Sequence, residues 1–110
     1  MREINIKAIE NTVRDLCIKA NIHLPSSLEK RIKEAAEEEI SPAGINVFDD
    51  LKANLRAADE ENIPICQDTG MAVIFAEIGQ DVHFTGGEFE QAVNAGVSRG
   101  YTEGFLRCSV

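Results

Sequence analysis

Between residues 62 and 70 the chain reads Asn-Ile-Pro-Ile-Cys-Gln-Asp-Thr-Gly, the one stretch that packs reactive side chains into a short loop. Cys66 offers a soft metal ligand or a nucleophile, Gln67 an amide, Asp68 a carboxylate and Thr69 a hydroxyl, and Gly70 permits dihedrals closed to other residues. A polar turn around a partly buried cysteine accounts for the same composition, so the residue types alone leave chemistry and turn both open. The other cysteines, Cys17 and Cys108, lie far from Cys66 in sequence, and an odd, scattered set with no secretory context argues against a disulfide framework. His23 and His83 show no ligand spacing with any other His or Cys, so a surface or capping role is expected for each. The acid run Glu34, Glu37, Glu38 and Glu39 reads as a solvated helix face rather than a metal site.

Several elements must position these groups. The apolar residues Ile6, Ile9, Val13, Leu16, Cys17 and Ala20 recur at helical steps and predict a helix over residues 5–20. His23-Leu24-Pro25 breaks it. Ser26 with Glu29 has the spacing of a capping box, and Leu28, Ile32, Ala35, Ala36 and Ile40 continue a second helix. Ser41 and Pro42 read as a cap and a first-turn proline for a third helix, carried by Val47, Phe48, Leu51, Leu55 and Ala58 to Glu60 or Glu61. Pro64 biases the residue before it toward extended conformations, so 62–70 is expected to be a loop.

Beyond the loop, residues 71–78 and 82–84 are β-branched and apolar, separated by Gly79-Gln80-Asp81, which predicts a hairpin. Gly86-Gly87 reads as the turn leading into a helix over 89–100, where Gly96 and Gly100 would permit close backbone packing. Residues 105–110 resemble the start of a strand, in which Arg107 and Cys108 would point to opposite faces. The expected class is α+β: helices over 1–61, the loop 62–70, and a β/α portion over 71–110, forming one domain.

Composition sets the outer limits. The 110 residues are 44% hydrophobic and 27% charged, a globular balance too short for a large multidomain enzyme. A chain this size buries roughly two thirds of its unfolded surface, leaving little for both a core and an enclosed site. Nineteen acidic residues against eleven basic give a net charge of −8, so the electrostatic footprint of a nucleic-acid or anionic-membrane binder is missing. No run approaches the roughly 18 apolar residues of a membrane span, and Arg2, Glu3, Lys7 and Glu10 stand where a secretory signal would be apolar. A cytoplasmic location is expected.

The segment Pro64-Ile65-Cys66-Gln67-Asp68-Thr69-Gly70, preceded by Asn54 and Ala57-Ala58 and followed by an apolar strand ending in Gly79, resembles the signature of the iron-sulfur (class I) fumarate hydratases and L-tartrate dehydratases. The likeness is to their alpha subunit or amino-terminal half. Gly86-Gly87, the helix Ala92 to Gly100 with Tyr101, and Leu106-Arg107-Cys108-Ser109-Val110 resemble the next stretch of that family. The first helices match only in character.

That resemblance implies a hydro-lyase, hydrating fumarate to malate or, as an alternative within the family, dehydrating L-tartrate to oxaloacetate. It implies a four-iron four-sulfur cluster on cysteine thiolates, with one iron left open as a Lewis acid toward the substrate hydroxyl. On matching positions, Cys66 would be a cluster ligand, Gln67 and Asp68 would contact the substrate with Asp68 catalytic, and Arg107 would clamp a substrate carboxylate. The family subunit continues well beyond this point and supplies two further cluster cysteines, so an amino-terminal portion with one ligand is implied. That portion is expected to be incomplete and inactive alone. Cys17, on an apolar helical stripe, and Cys108 remain unassigned. The implied partners are a small dicarboxylate, a beta subunit or carboxy-terminal part, and further copies in a homo-oligomer. A reading from another class, a non-catalytic subunit-interaction domain that keeps the motif without the cluster, stands beside the enzyme reading.

Overall fold

The computed structural model describes residues 1–109 and is α+β, as expected. Its elements are β1 (Arg2–Asn5), α1 (Ile6–Ile22), α2 (Ser26–Glu38), α3 (Pro42–Glu61), β2 (Val82–Thr85) and α4 (Phe89–Glu103). The chain divides into two compact units, one formed by Met1–Lys19 together with the residues from Cys66 onward, the other by Ala20–Ile65.

In the first unit β1 and β2 form a two-stranded parallel sheet with Arg2 opposite Val82 and Asn5 opposite Thr85. The hairpin expected from 71–78 and 82–84 is therefore corrected: 82–85 is a strand, but its partner is the amino terminus, where the sequence had suggested no strand. A turn does form, Val82 N donating to Gly79 O at 3.1 Å, yet Arg2 N then donates to Asp81 O at 2.8 Å and draws β2 onto β1. Parallel pairing needs a long crossover, which the intervening chain supplies. Residues 71–80 are exposed throughout and carry no strand.

Helix α1 follows β1 directly, and Asn5 Oδ1 accepts from Lys7 N at 2.8 Å, satisfying one of the free first-turn amides. Helix α4 lies against α1 through its small residues. A Cβ on Gly96 would stand 2.6 Å from Glu10 O and 2.7 Å from Val13 Cβ, and one on Gly100 would stand 2.9 Å from Cys17 Cβ. The expected close packing is thus real, and glycine is required for it. Across the same contact Arg99 Nη1 donates to Asn11 Oδ1 at 2.8 Å. Val13, Ala92 and Leu106 are the buried apolar residues of this unit, and Phe84 and Phe89 face each other with ring centroids 4.9 Å apart.

The second unit is helical. Ser41 caps α3 as read from the sequence, its Oγ accepting from Gly44 N at 3.5 Å with Pro42 in the first turn. The capping box on α2 does not form: the helix begins at Ser26 itself, Pro25 stands at the cap position, and no side chain accepts there. A serine inside the first turn is one position too late to serve as the box's acceptor. Asn62 ends α3 in the left-handed conformation at φ 55°, and its N–H returns to Ala58 O. Ile22 and Ala58 are buried here.

Residues 106–109 are not in a strand, because no neighbouring strand pairs with them among the described residues. The last residue of that expected strand, Val110, lies outside the described residues. Among the described residues no helix is long and apolar enough to cross a membrane.

Candidate active site

The loop is anchored on its amino-terminal side by two hydrogen bonds within the helical unit. Ile65 N donates to Asn21 O at 2.8 Å, and Asn54 Nδ2 on α3 donates to Ile65 O at 2.8 Å. Residue 65 is therefore held by both of its backbone groups, immediately before Cys66.

From Cys66 onward the chain is tied to α4 and to the segment after it. Tyr101 Oη donates to Thr69 O at 2.5 Å, and Thr69 Oγ1 donates to Arg107 O at 2.6 Å. Thr69 is only 6% exposed, so its hydroxyl is a buried link rather than a surface group. Leu106 N returns to Tyr101 O at 3.0 Å across Phe105, which adopts φ 55°. That left-handed residue reverses the chain just past α4 and sends Arg107 back toward the loop.

The result is a direct contact between two of the residues singled out in the sequence: Arg107 Nη1 donates to Gln67 Oε1 at 2.7 Å. Ser109 Oγ adds a longer bond of 3.4 Å to Gln67 O. With Oε1 turned to the guanidinium, the Gln67 amide keeps both N–H donors for another acceptor, and Arg107 keeps further N–H groups of its planar fork. Cys66 Sγ accepts from Asp68 N at 3.4 Å, which ties the thiol to the backbone of the loop. Cys66, Gln67, Asp68 and Arg107 are all exposed, so any ligand meets them without rearrangement of a core.

The structure thus brings Gln67 and Arg107 together, sets Asp68 beside Cys66 through the backbone, and leaves Cys17 and Cys108 outside this set. Cys17 is half-buried on α1, and burial pushes its thiol above the ordinary 9.0. Sequence reasoning passed over Tyr101, Thr69 and Asn54 as supports. Tyr101 carries the signal most plainly: it is the sole tyrosine, and its phenol is raised by burial and then by the nearby Cys17 and Cys108 charges.

As a donor set, the loop fits one corner of a cluster and no more. Among the described residues no three His, Cys, Asp or Glu side chains converge to hold a metal ion. A four-iron four-sulfur cluster on three thiolates therefore does not fit this chain taken alone.

Residues 10–110 match the fumarate hydratase (Fumerase) family, and the chain belongs to that family. Among curated proteins it is similar to one of Methanocaldococcus jannaschii named "Putative L(+)-tartrate dehydratase subunit alpha", with 32% identity over 75 residues. That match covers 68% of this chain and 26% of the relative, so the chain spans about a quarter of the length of the protein it matches. No solved structure matches it significantly.

Proposed function

We propose that the chain is the amino-terminal portion of a class I hydro-lyase alpha subunit, acting in the cytoplasm and hydrating fumarate reversibly to malate once completed by the remainder of the subunit. The observation that carries this reading is the 2.7 Å bond from Arg107 to Gln67, which sets a guanidinium beside the Cys66-Gln67-Asp68 run. In the completed enzyme Cys66 would contribute one thiolate to a four-iron four-sulfur cluster, which would supply Lewis-acid chemistry when bound. The chain's own residues do the remaining work. Arg107 and the free amide donors of Gln67 bind a substrate carboxylate, and Asp68 accepts a hydrogen bond from the hydroxyl of the hydroxy acid and orients it. The Tyr101-Thr69-Arg107 links hold these groups at a fixed spacing, which is where orientation contributes to rate.

L-Tartrate dehydration is the second reading, favoured by the name of the Methanocaldococcus jannaschii relative. Assaying the completed enzyme on both acids separates the two. The catalytic reading itself is tested by paired variants of that enzyme. Cys66→Ser should lose visible cluster absorbance and activity together, because a hydroxyl is a poor substitute for a soft thiolate. Asp68→Asn should keep its iron and lose turnover. If both variants retain cluster and activity, the loop is a turn and the chain is a subunit-interaction domain.

A further inference from the structure

Met71 to Ile78 are eight consecutive residues of which seven are apolar, and every one is exposed. Met71, Val73 and Phe75 are 72%, 71% and 94% exposed on one alternation, while Ile74 and Ile78 are 43% and 49% exposed on the other. No backbone hydrogen bond joins 71–78 to the rest of the described residues. Apolar side chains on both alternations of a short β-branched run are the pattern of a strand with both faces covered, and unpaired backbone groups cannot be covered without partners.

We propose that residues 71–78 are an interior strand whose neighbouring strands, and the layers over both faces, come from the part of an alpha-type subunit that lies outside the matched region. This rests on family membership and on the completion invoked for the function above, but not on the cluster. About three quarters of the relative's length lies outside the 26% that is matched, so a family subunit contains ample polypeptide for the purpose. A second copy of this chain suits the segment less well. Edge-to-edge pairing of two copies would satisfy one backbone edge of each while leaving both side-chain faces wet, and it would join two chains of net charge −8. The segment runs on directly from Gly70, so the body that covers it also arrives beside Cys66.

The test mixes this chain with the polypeptide corresponding to the unmatched part of the Methanocaldococcus jannaschii relative, in the absence of iron, and follows hydrogen exchange by mass spectrometry. Amides 71–78 should exchange freely in the chain alone and slow at least tenfold in the complex. The double variant Val73→Asp, Phe75→Asp should keep the free chain's melting temperature, since these side chains are 71% and 94% exposed, and should lose association. A complex that leaves 71–78 unprotected, a double variant that binds as well as the parent, or failure to associate overturns the proposal. Protection appearing in the chain alone with concentration-dependent dimerisation identifies a second copy as the occupant and likewise overturns it. An iron-free complex with protected 71–78 upholds it even where lyase activity is absent, which separates its fate from that of the catalytic reading.

Discussion

The hydroxyl of Tyr101 donates to the main-chain oxygen of Thr69 at 2.5 Å, and through Thr69 Oγ1 that link continues to the main-chain oxygen of Arg107. One side chain on α4 thereby fixes both halves of the candidate site, and it does so only while its proton is present.

Tyr101→Phe should lower stability by about 0.5–1.5 kcal/mol at neutral pH, the usual net worth of one hydrogen bond. Burial, then the charges of Cys17 and Cys108, hold the phenol above its ordinary 10.0. The folded state thus keeps this proton more tightly than the unfolded chain does. The associated stability is whole below pH 10 and is lost as pH rises through the higher folded value. Denaturation followed from pH 7 to 11 should show that alkaline decline in the parent and a shallower one in the variant. Parallel pH profiles would remove Tyr101 from the link.

Gly96→Ala is expected to cost about 1–3 kcal/mol, because its new methyl group would meet backbone at Glu10 O and cannot displace it without parting α1 from α4. Gly79→Ala is the control. A Cβ there meets nothing closer than Val82 Cγ2 at 3.8 Å, so its melting temperature should stay close to the parent's.

The three thiols should separate in a timed alkylation. Cys66 and Cys108 are exposed, whereas Cys17 is half-buried with a raised pKa, so two cysteines should label quickly in the native chain and the third only on unfolding. Peptide mapping that finds Cys17 among the fast pair would contradict the packing of α1 against α4.

Anaerobic reconstitution of the isolated chain should yield no stable four-iron four-sulfur cluster, since only Cys66 stands in the candidate site. Iron and sulfide quantification measures this, and a stoichiometric, active cluster would mean that Cys17 and Cys108 serve as ligands after all.

In the completed enzyme Arg107→Lys keeps the charge and loses the planar fork that meets Gln67. Catalytic efficiency should drop by roughly ten- to a hundredfold, about 1.4 kcal/mol for each tenfold. Unchanged kinetics would take Arg107 out of substrate binding.

Much of this architecture was legible in local pattern. The stripes of α1 and α3, the Ser41-Pro42 start and the glycine face of α4 are decided by residues within a turn or two of one another, and each appears where periodicity puts it. Pairing partners are a different matter. The run 71–78 looks like a strand beside 82–84 because its residues suit one, yet which strand β2 joins is settled by Arg2–Asn5 at the other end of the sequence. Nothing in four residues reading Arg-Glu-Ile-Asn announces that. In the site, Cys66, Gln67, Asp68 and Thr69 are visible as residue types and Arg107 only through the family resemblance, whereas the links that Thr69 and Tyr101 make run to backbone oxygens that no side-chain pattern reveals.

The parallel pairing of Arg2 with Val82 also sets an order of events during synthesis. The amino terminus emerges first and its strand partner arrives eighty positions later, so β1 must wait without a ladder while Ala20–Ile65, contiguous in sequence and mostly helical, is free to form from contacts close in sequence. Closing so long a loop costs little more than closing one half its length, about 0.6 kcal/mol per doubling, but it is slow to find. Loss of the first five residues should therefore leave the helical unit's formation untouched and weaken the unit that carries Cys66 and Arg107, making the start of the chain a remote determinant of the order in its candidate site.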